Sequence, residues 1–449
     1  MDKGNLQEFA VSVTTQAMQR GASAAEVVVR QRTEFSVGVR LEAVETLEES
    51  ATEGFGLRVF IEGRQASVSG SDFTADAVNS LVAEAVSMAK ATSPDDSAGL
   101  PDPEDLAQAI EDLGLYDPAV VEFPTENRID LAIRAERAAR AVSPKIVNFD
   151  SGGFDCSSGL AVLANSFGFV GGYSGTTCSL AASPVASDGE TMQRDYWYDT
   201  RRKLSELDPP EVIGTIAAER TLRRLGGRAV PTQSVPIIFE PSVARELLGD
   251  IFQAVSGESI FRKASFLVGQ LGEQIASENL TVIDDGRLAG RLGSRPFDGE
   301  GVPTRRTVII DRGVLRSYLL NTYTARKLGM ESTGNASRGL VGAPGVGVGN
   351  LYIEPRQPSQ LEIIGSIKKG LFVTEVIGFG VNIVNGDYSR SVAGIWIENG
   401  ELAFPVQGVT IAGNLREMLR SVEMIGSDLD LRGNVASPTL MIGSMAVSA

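Results

Sequence analysis

"AGIWIENGELAFPV", residues Ala393 to Val406, runs as a β-branched and aromatic strand into Glu-Asn-Gly and returns as a second strand. That pattern is an antiparallel hairpin, since Asn and Gly accept the backbone angles of a tight turn. "RTVIIDRGVLRSYLL", Arg306 to Leu320, repeats the design around Asp-Arg-Gly. The likeness is local, and no period is sustained long enough to indicate a repeat architecture. Helical spacing at about 321–329, 358–369 and 413–420 interrupts these strands. The chain therefore reads as α+β with mainly antiparallel sheets.

Upstream, residues 5–20 have helical periodicity and end at Gly21, and "AEVVVRQRTEFSVGVRLEAVETLEES" alternates as strands do. A hairpin turning at Glu62-Gly63 and a helix beginning near Asp72 or Thr74 follow. "SPDDSAGLPDPEDLA", residues 93–107, lacks periodicity and reads as a linker or a long surface crossover. Beyond it come the helix "RIDLAIRAERAARAV", short strands separated by Gly and Ser from Ile146 to about Tyr198, and a helix over 209–226. A chain of 449 residues exceeds one ordinary core. Two domains are expected: an N-terminal helix and antiparallel-sheet domain over 1–225, with its crossover near 93–125, and a larger strand-rich domain with interspersed helices over 226–449.

A net charge of −16 repels polyphosphates, and no stretch gathers basic and aromatic residues, so nucleic acid is not an expected partner. The first twenty residues lack the apolar core of a secretory signal, and no run is apolar enough to span a membrane. Two cysteines, Cys156 and Cys178, lie in strand-like sequence and read as core-filling thiols in a reducing cytoplasm. Histidine is absent altogether. Ser-His-Asp triads, Cys-His pairs and His-containing zinc sites are thereby excluded.

Several segments invite chemical readings. "GAPGVGVGN", residues 342–350, is followed by the strand-like "LYIEP", so it lacks the helix N-terminus that cradles phosphate and reads as a turning loop. "SIKK", Ser366 to Lys369, has the spacing of a lysine-activated serine, but the lysines equally suit a helix C-terminus. Asp298 and Glu300 stand two apart in "RPFDGEGVPTRR", where they could hold a cation, share a proton or be solvated. Asp387, Tyr388 and Arg390 in "VNGDYSRS" read as an ion-paired turn. "VPIIFEPSVARELLGDIFQAVSGESIFRK", Val235 to Lys263, is a buried strand, a turn and a helix; between Leu247 and Val255 its only ionisable residue is Asp250.

Taken in order, "TSPDDSAGLP", "FRKASFLVGQLGEQI", the long stretch from Arg295 to Ala336, "GDYSRSVAGIWIENGELAFPVQGVTIAGNL" and "IGSDLDLRGN" resemble the TldD/PmbA family, and within it the PmbA branch, also called TldE. The resemblance implies a two-subunit peptidase in which a TldD-type chain carries zinc on a His-Glu-x-x-x-His helix with a later cysteine, and a TldE-type chain completes a chamber for short or unfolded peptides. Aligned on "SGESIFRK", the six metal-helix positions fall at Leu248, Gly249, Asp250, Ile251, Phe252 and Gln253, and the cysteine loop at about Gly433 to Ser437. Neither histidine position holds a ligand, the glutamate position holds Gly249, and carboxylates alone favour Mg or Ca. The expectation is a non-catalytic subunit with no cofactor of its own, zinc being supplied by a TldD-type partner. Peptides would be captured by strand addition, with Asp298, Glu300, Asp387 and Tyr388 as candidate peptide or partner contacts. The alternative is a stand-alone homodimeric hydrolase or peptide-binding protein that uses carboxylates without zinc, and self-association fits either reading.

Overall fold

The computed structural model describes residues 2–378 and 380–448. In its N-terminal half, helix α1 (Lys3–Gln19) precedes a long hairpin, β1 (Ala24–Arg40) and β2 (Ala43–Ile61), then β3 (Arg64–Gly70) and helix α2 (Ala75–Ala91). After the short α3 (Pro118–Glu122) come α4 (Thr125–Val142), β4 (Ile146–Asn165), β5 (Val170–Ser187), β6 (Met192–Arg194), β7 (Trp197–Arg201) and α5 (Pro210–Leu222). All strands join one antiparallel sheet of order β3-β2-β1-β4-β5-β6, with β7 also on β5.

Alternation along β1 decides which face the helices cover. Val27, Val29, Phe35, Val37 and Val39 share one face; α1 and α2 pack on its first part, α4 and α5 on the second. Cys156 and Cys178 sit directly opposite one another on that buried face, where burial pushes the Cys178 thiol up to about 12. The opposite face, with Val28 and Leu163, receives Phe297 from the C-terminal half.

The short strands expected between Ile146 and Tyr198 are instead two long ones, β4 and β5 of 20 and 18 residues. Glycine there does not break the strand but admits its neighbour: a Cβ on Gly153 would lie 2.0 Å from the Val37 carbonyl oxygen. On β2, a Cβ on Gly56 would lie 1.9 Å from the Leu340 carbonyl oxygen, so this glycine seats a loop of the C-terminal half. The 93–107 stretch is a crossover strapped onto the fold. Asp95 bonds to Lys327 Nζ at 2.8 Å and Tyr323 Oη at 2.9 Å, and Leu106 is buried beside Phe169 and Phe297.

The C-terminal half begins with β8 (Gln233–Phe239), α6 (Pro241–Val255), α7 (Gly257–Phe261), β9 (Val282–Asp285), β10 (Arg306–Asp311), β11 (Val314–Leu315) and α8 (Thr322–Leu328). It continues through β12 (Ala336–Ser337), β13 (Gly345–Val346), β14 (Asn350–Ile353), α9 (Gln360–Gly365), β15 (Lys369–Ile377), β16 (Val381–Asn382) and β17 (Asp387–Glu398). It ends with β18 (Glu401–Asn414), α10 (Leu415–Arg420), β19 (Val422–Ile425), β20 (Val435–Ala436) and β21 (Leu440–Ser448). One sheet has the order β11-β10-β9-β14-β20. In the other, β15-β8-β21-β18-β17 closes on itself because β17 also pairs with β15. Such closure leaves few free edges in this half.

The hairpin turns are as read. Asn399 and Gly400 have φ of 52° and 83°, Arg312 and Gly313 47° and 82°, both central residues left-handed as a type I′ turn requires. The expected helix over 358–369 ends at Gly365, and Lys369 already belongs to β15. Ser366 and Lys369 therefore do not share a helical turn, and the Ser366 hydroxyl donates to the Ile363 carbonyl at 2.7 Å.

Candidate functional site

Strand β8 delivers the chain into α6 through Glu240-Pro241, with proline where its missing N–H costs nothing. The Glu240 carboxylate is bound by Arg220 at 2.8 Å and Arg223 at 3.1 Å, which anchors the helix start to α5. Val243, Leu247, Leu248, Ile251, Ala254 and Val255 form the buried face of α6 in the main C-terminal core.

The positions aligned with the zinc motif separate on this helix. Leu248 is fully buried, Gly249 is half-buried and Gln253 is exposed. In this chain the first histidine-equivalent position is sealed in the core and the second faces solvent, so the two do not line a common pocket. A Cβ on Gly249 would meet nothing within 4 Å, so that position has space but no side chain. The segment aligned with the cysteine loop does lie against α6, through β20, and it presents Ser437, whose hydroxyl donates to the Pro438 carbonyl at 2.8 Å. These donors do not fit zinc. Among the described residues no three His, Cys, Asp or Glu side chains converge as metal ligands.

Restoring the motif letters should not restore the centre. The combined variant Leu248→His, Gly249→Glu, Gln253→His is expected to bind no stoichiometric zinc, and to lose roughly 2 kcal/mol or more from a polar ring placed in the core. Gly249→Glu alone should unfold like the parent. Metal content after zinc loading and thermal unfolding check both.

Asp250, the one ionisable residue of the helix core, faces β17. Arg390 Nη2 lies 3.4 Å from its carboxylate and 3.8 Å separates Arg390 Nη1 from Glu246, while the same guanidinium donates to the Gly378 carbonyl at 2.8 Å. Burial raises the Asp250 carboxyl to about 6 despite Arg390. Tyr388 is buried two residues before Arg390 on β17, and burial raises its phenol also. The ion pair expected within the 384–391 turn is therefore not formed there. Arg390 turns to α6, whereas Asp387 is exposed and accepts from Asn385 Nδ2 at 2.6 Å and Asn414 Nδ2 at 3.3 Å. Arg390 and Tyr388 sit two apart on a strand and so share a face, the one signal that could have linked them to α6.

Asp298 and Glu300 are not solvated: they are 2% and 1% exposed. Asp298 accepts from the backbone N–H of Glu300 at 2.8 Å, Val302 at 3.1 Å and Ala336 at 2.9 Å. Glu300 accepts from Thr322 N at 2.9 Å and lies 3.6 Å from Arg58 of β2. Burial raises both carboxyls, and Glu300 adds to the rise at Asp298. Asp298 is engaged by three backbone N–H groups and Glu300 by one together with Arg58, so these acids tie loops together and stitch the two halves. Glu26, which the sequence reading passed over, completes this junction by pairing with Arg58 at 2.6 Å and with Arg338.

Next to α6 the two halves enclose a cleft of about 420 Å³, lined among others by Ser242, Glu246, Trp197, Arg224 and Arg432. The Arg432 guanidinium stacks 3.6 Å from the Trp197 ring centre, and Trp197 Nε1 is buried without an acceptor. The cleft's charges pair with one another, Arg224 with Glu375 and Arg220 with Asp195 and Glu240. It offers polar binding surface beside α6; the Ser242 hydroxyl donates to the Glu240 carboxylate at 2.9 Å, but Arg220 and Arg223 outweigh burial and hold that carboxyl below its usual range, which makes it a weak base.

Family models match in three consecutive segments: the PmbA/TldA metallopeptidase domain 1 over 25–89, the central domain over 119–225 and the C-terminal domain over 232–449. Metalloprotease PmbA of Escherichia coli O157:H7 is 38% identical over 98% of this chain and 96% of its own length. A crystal structure described as a putative modulator of DNA gyrase, from Bacteroides thetaiotaomicron, superposes with a TM-score of 0.93 at 27% identity, covering 100% of both chains. TldE from Thermococcus kodakarensis shares the fold, with a TM-score of 0.85 at 24% identity over 99% of each chain. Full-length agreement in sequence, domain order and fold places the chain in the PmbA/TldD metallopeptidase family, in its PmbA (TldE) branch.

Proposed function

We propose that this chain is the non-catalytic TldE/PmbA-type subunit of a two-subunit metallopeptidase, one that completes a chamber for short or unfolded peptides while a TldD-type partner supplies the zinc. The observation that carries the reading is the face of α6: Leu248 sealed in the core, Gly249 without a side chain and Gln253 turned outward. A sequence without histidine offers no imidazole to take their place. The reading as a carboxylate hydrolase loses its best candidates, because Asp298 and Glu300 are committed to backbone amides.

Peptide capture by strand addition has a place to occur. β3 pairs with β2 only from Phe55 to Ile61, so β2 from Ala43 to Glu53 is flanked by β1 alone and is exposed along its length. A free edge binds any extended backbone and rejects folded chains. In a titration of this chain into a fixed amount of the TldD-type chain from the same cell, cleavage of an unstructured peptide is expected to rise to a plateau near equal amounts, with no cleavage by this chain alone. Cleavage by the TldD-type chain that is indifferent to the addition would contradict the proposal.

A further inference from the structure

The face of the N-terminal sheet turned away from the helices holds a second recess, where loops of the C-terminal half cross β1, β4 and β5. Arg30, Tyr173, Arg295 and Arg338 line a space of about 50 Å³, several times what one water needs. The Arg338 side chain is 1% exposed; its Nη1 is used by Glu26, while Nε and Nη2 are buried without an acceptor. Arg295 likewise buries Nε and Nη2 without an acceptor. Arg30 spends a donor on the Arg338 carbonyl rather than on an acid. Of the carboxylates nearby, Glu26 serves Arg338 Nη1 through Oε1 and keeps Oε2 buried without a donor, and Asp298 has its hydrogen bonds filled by backbone N–H groups.

Four guanidinium nitrogens of Arg295 and Arg338 buried beside one recess without an acceptor are costly unless one arrives, and two guanidinium forks suit the two oxygens of a carboxylate. Val28, Leu163 and Phe297 form the apolar part of the recess wall. The recess shares Arg30, Ala161 and Tyr173 with a shallower groove of about 260 Å³, whose floor along the sheet includes Gly159 and Gly175. Gly159 leaves room for an extended backbone, whereas Gly175 is covered by Arg202, whose Nη1 would lie 2.9 Å from a Cβ there.

We propose that this recess captures the C-terminal carboxylate of an extended peptide whose preceding residues lie in the sheet groove. The inference rests on the reading of this chain as a peptide-binding subunit, and it seats the peptide on the sheet face over β4 and β5 as a place distinct from the β2 edge. The same chemistry could come from a glutamate side chain of the peptide or from a free small carboxylate, and the test separates these sources.

Binding of a fluorescein-labelled unstructured peptide to the full chain is measured by anisotropy in three forms: free acid, C-terminal amide, and amide with glutamate as the last residue. The free acid is expected to bind at least about tenfold more tightly than either amide. Arg295→Gln should abolish that preference while circular dichroism shows the parent's fold retained, since Arg295 makes no contact ion pair although its charge favours the buried Asp284 and Asp298 carboxylates; Arg295→Lys should restore part of it. Acetate alone should compete only at concentrations far above those of the peptide. Equal binding of acid and amide would overturn the inference and leave the peptide-binding reading standing, and so would a preference that survives Arg295→Gln. Equal binding of the free acid and the glutamate-ended amide would overturn the assignment to a terminus. If no form binds, both fall.

Discussion

Glu26→Gln is expected to destabilise the protein by about 3–5 kcal/mol, the cost of leaving buried charges without their partner. Glu26 is fully buried on the free face of the N-terminal sheet and holds Arg58 from β2 and Arg338 from the C-terminal half. Burial by itself would raise its carboxyl, yet Arg338 and Arg58 outweigh that and hold it below the usual carboxylate range. The amide would leave two desolvated guanidinium groups with only Glu300 in reach of Arg58, at 3.6 Å. Combining Glu26→Gln and Glu300→Gln with Arg58→Met and Arg338→Met should recover more than half of the loss, because removing all the charges is far cheaper than removing one. Urea unfolding of the three proteins measures this; a loss below about 1 kcal/mol for Glu26→Gln would show that the junction is loosely coupled.

The second large effect is a fall in stability as pH rises through about 6. Asp250 and Asp284 are raised from ordinary carboxyl values to about 6, in both cases chiefly by burial. A group whose folded pKa lies above its unfolded one binds its proton more tightly in the native state. Its contribution is fully present below the unfolded pKa near 4 and is lost as pH rises through the folded value. Each group accounts for at most roughly 3 kcal/mol between about pH 4 and pH 6.5. Asp298, raised to about 7 chiefly by burial, acts in the same sense and carries the fall on to higher pH, whereas Glu26 and Glu240, held low by arginines, act in the opposite sense at lower pH. Asp250→Asn and Asp284→Asn should each flatten the profile, measured as the unfolding midpoint at fixed ionic strength. A midpoint that climbs steadily from pH 5 to 7.5 would be incompatible with these assignments.

The sequence made some of this legible. Turn residues announced the hairpins at 399–400, 312–313 and 62–63, because Gly and Asn carry their conformational preference locally. The hairpin between β1 and β2 gave no such sign. Leu41 and Glu42 both adopt positive φ, 53° and 62°, without a glycine. That turn is imposed from outside, by the Glu136 carboxylate accepting from Glu42 N at 2.8 Å and by Arg137 pairing with Glu42 at 2.9 Å. Glycines in β4 and β5 were read as breaks, and only the neighbouring strand shows them to be points of close approach.

The site divides in the same way. That Asp250 stands alone on its helix is a local fact, and so is the absence of imidazole. What neutralises Asp250 lies 140 residues away in Arg390, and the partners that bury Asp298 and Glu300 come from residues 322 and 336 and from β2. Composition can exclude a chemistry for the whole chain at once, whereas burial of a polar loop depends on segments that no local pattern names.

The central claim is that this polypeptide cannot by itself hold an open zinc centre. It is tested most directly by purifying the chain free of any companion, loading it with zinc, removing unbound metal, and measuring metal content and hydrolysis of an unstructured peptide on the same sample. The account predicts zinc far below one per chain and no hydrolysis. Stoichiometric, tightly held zinc together with cleavage by the lone chain would contradict it.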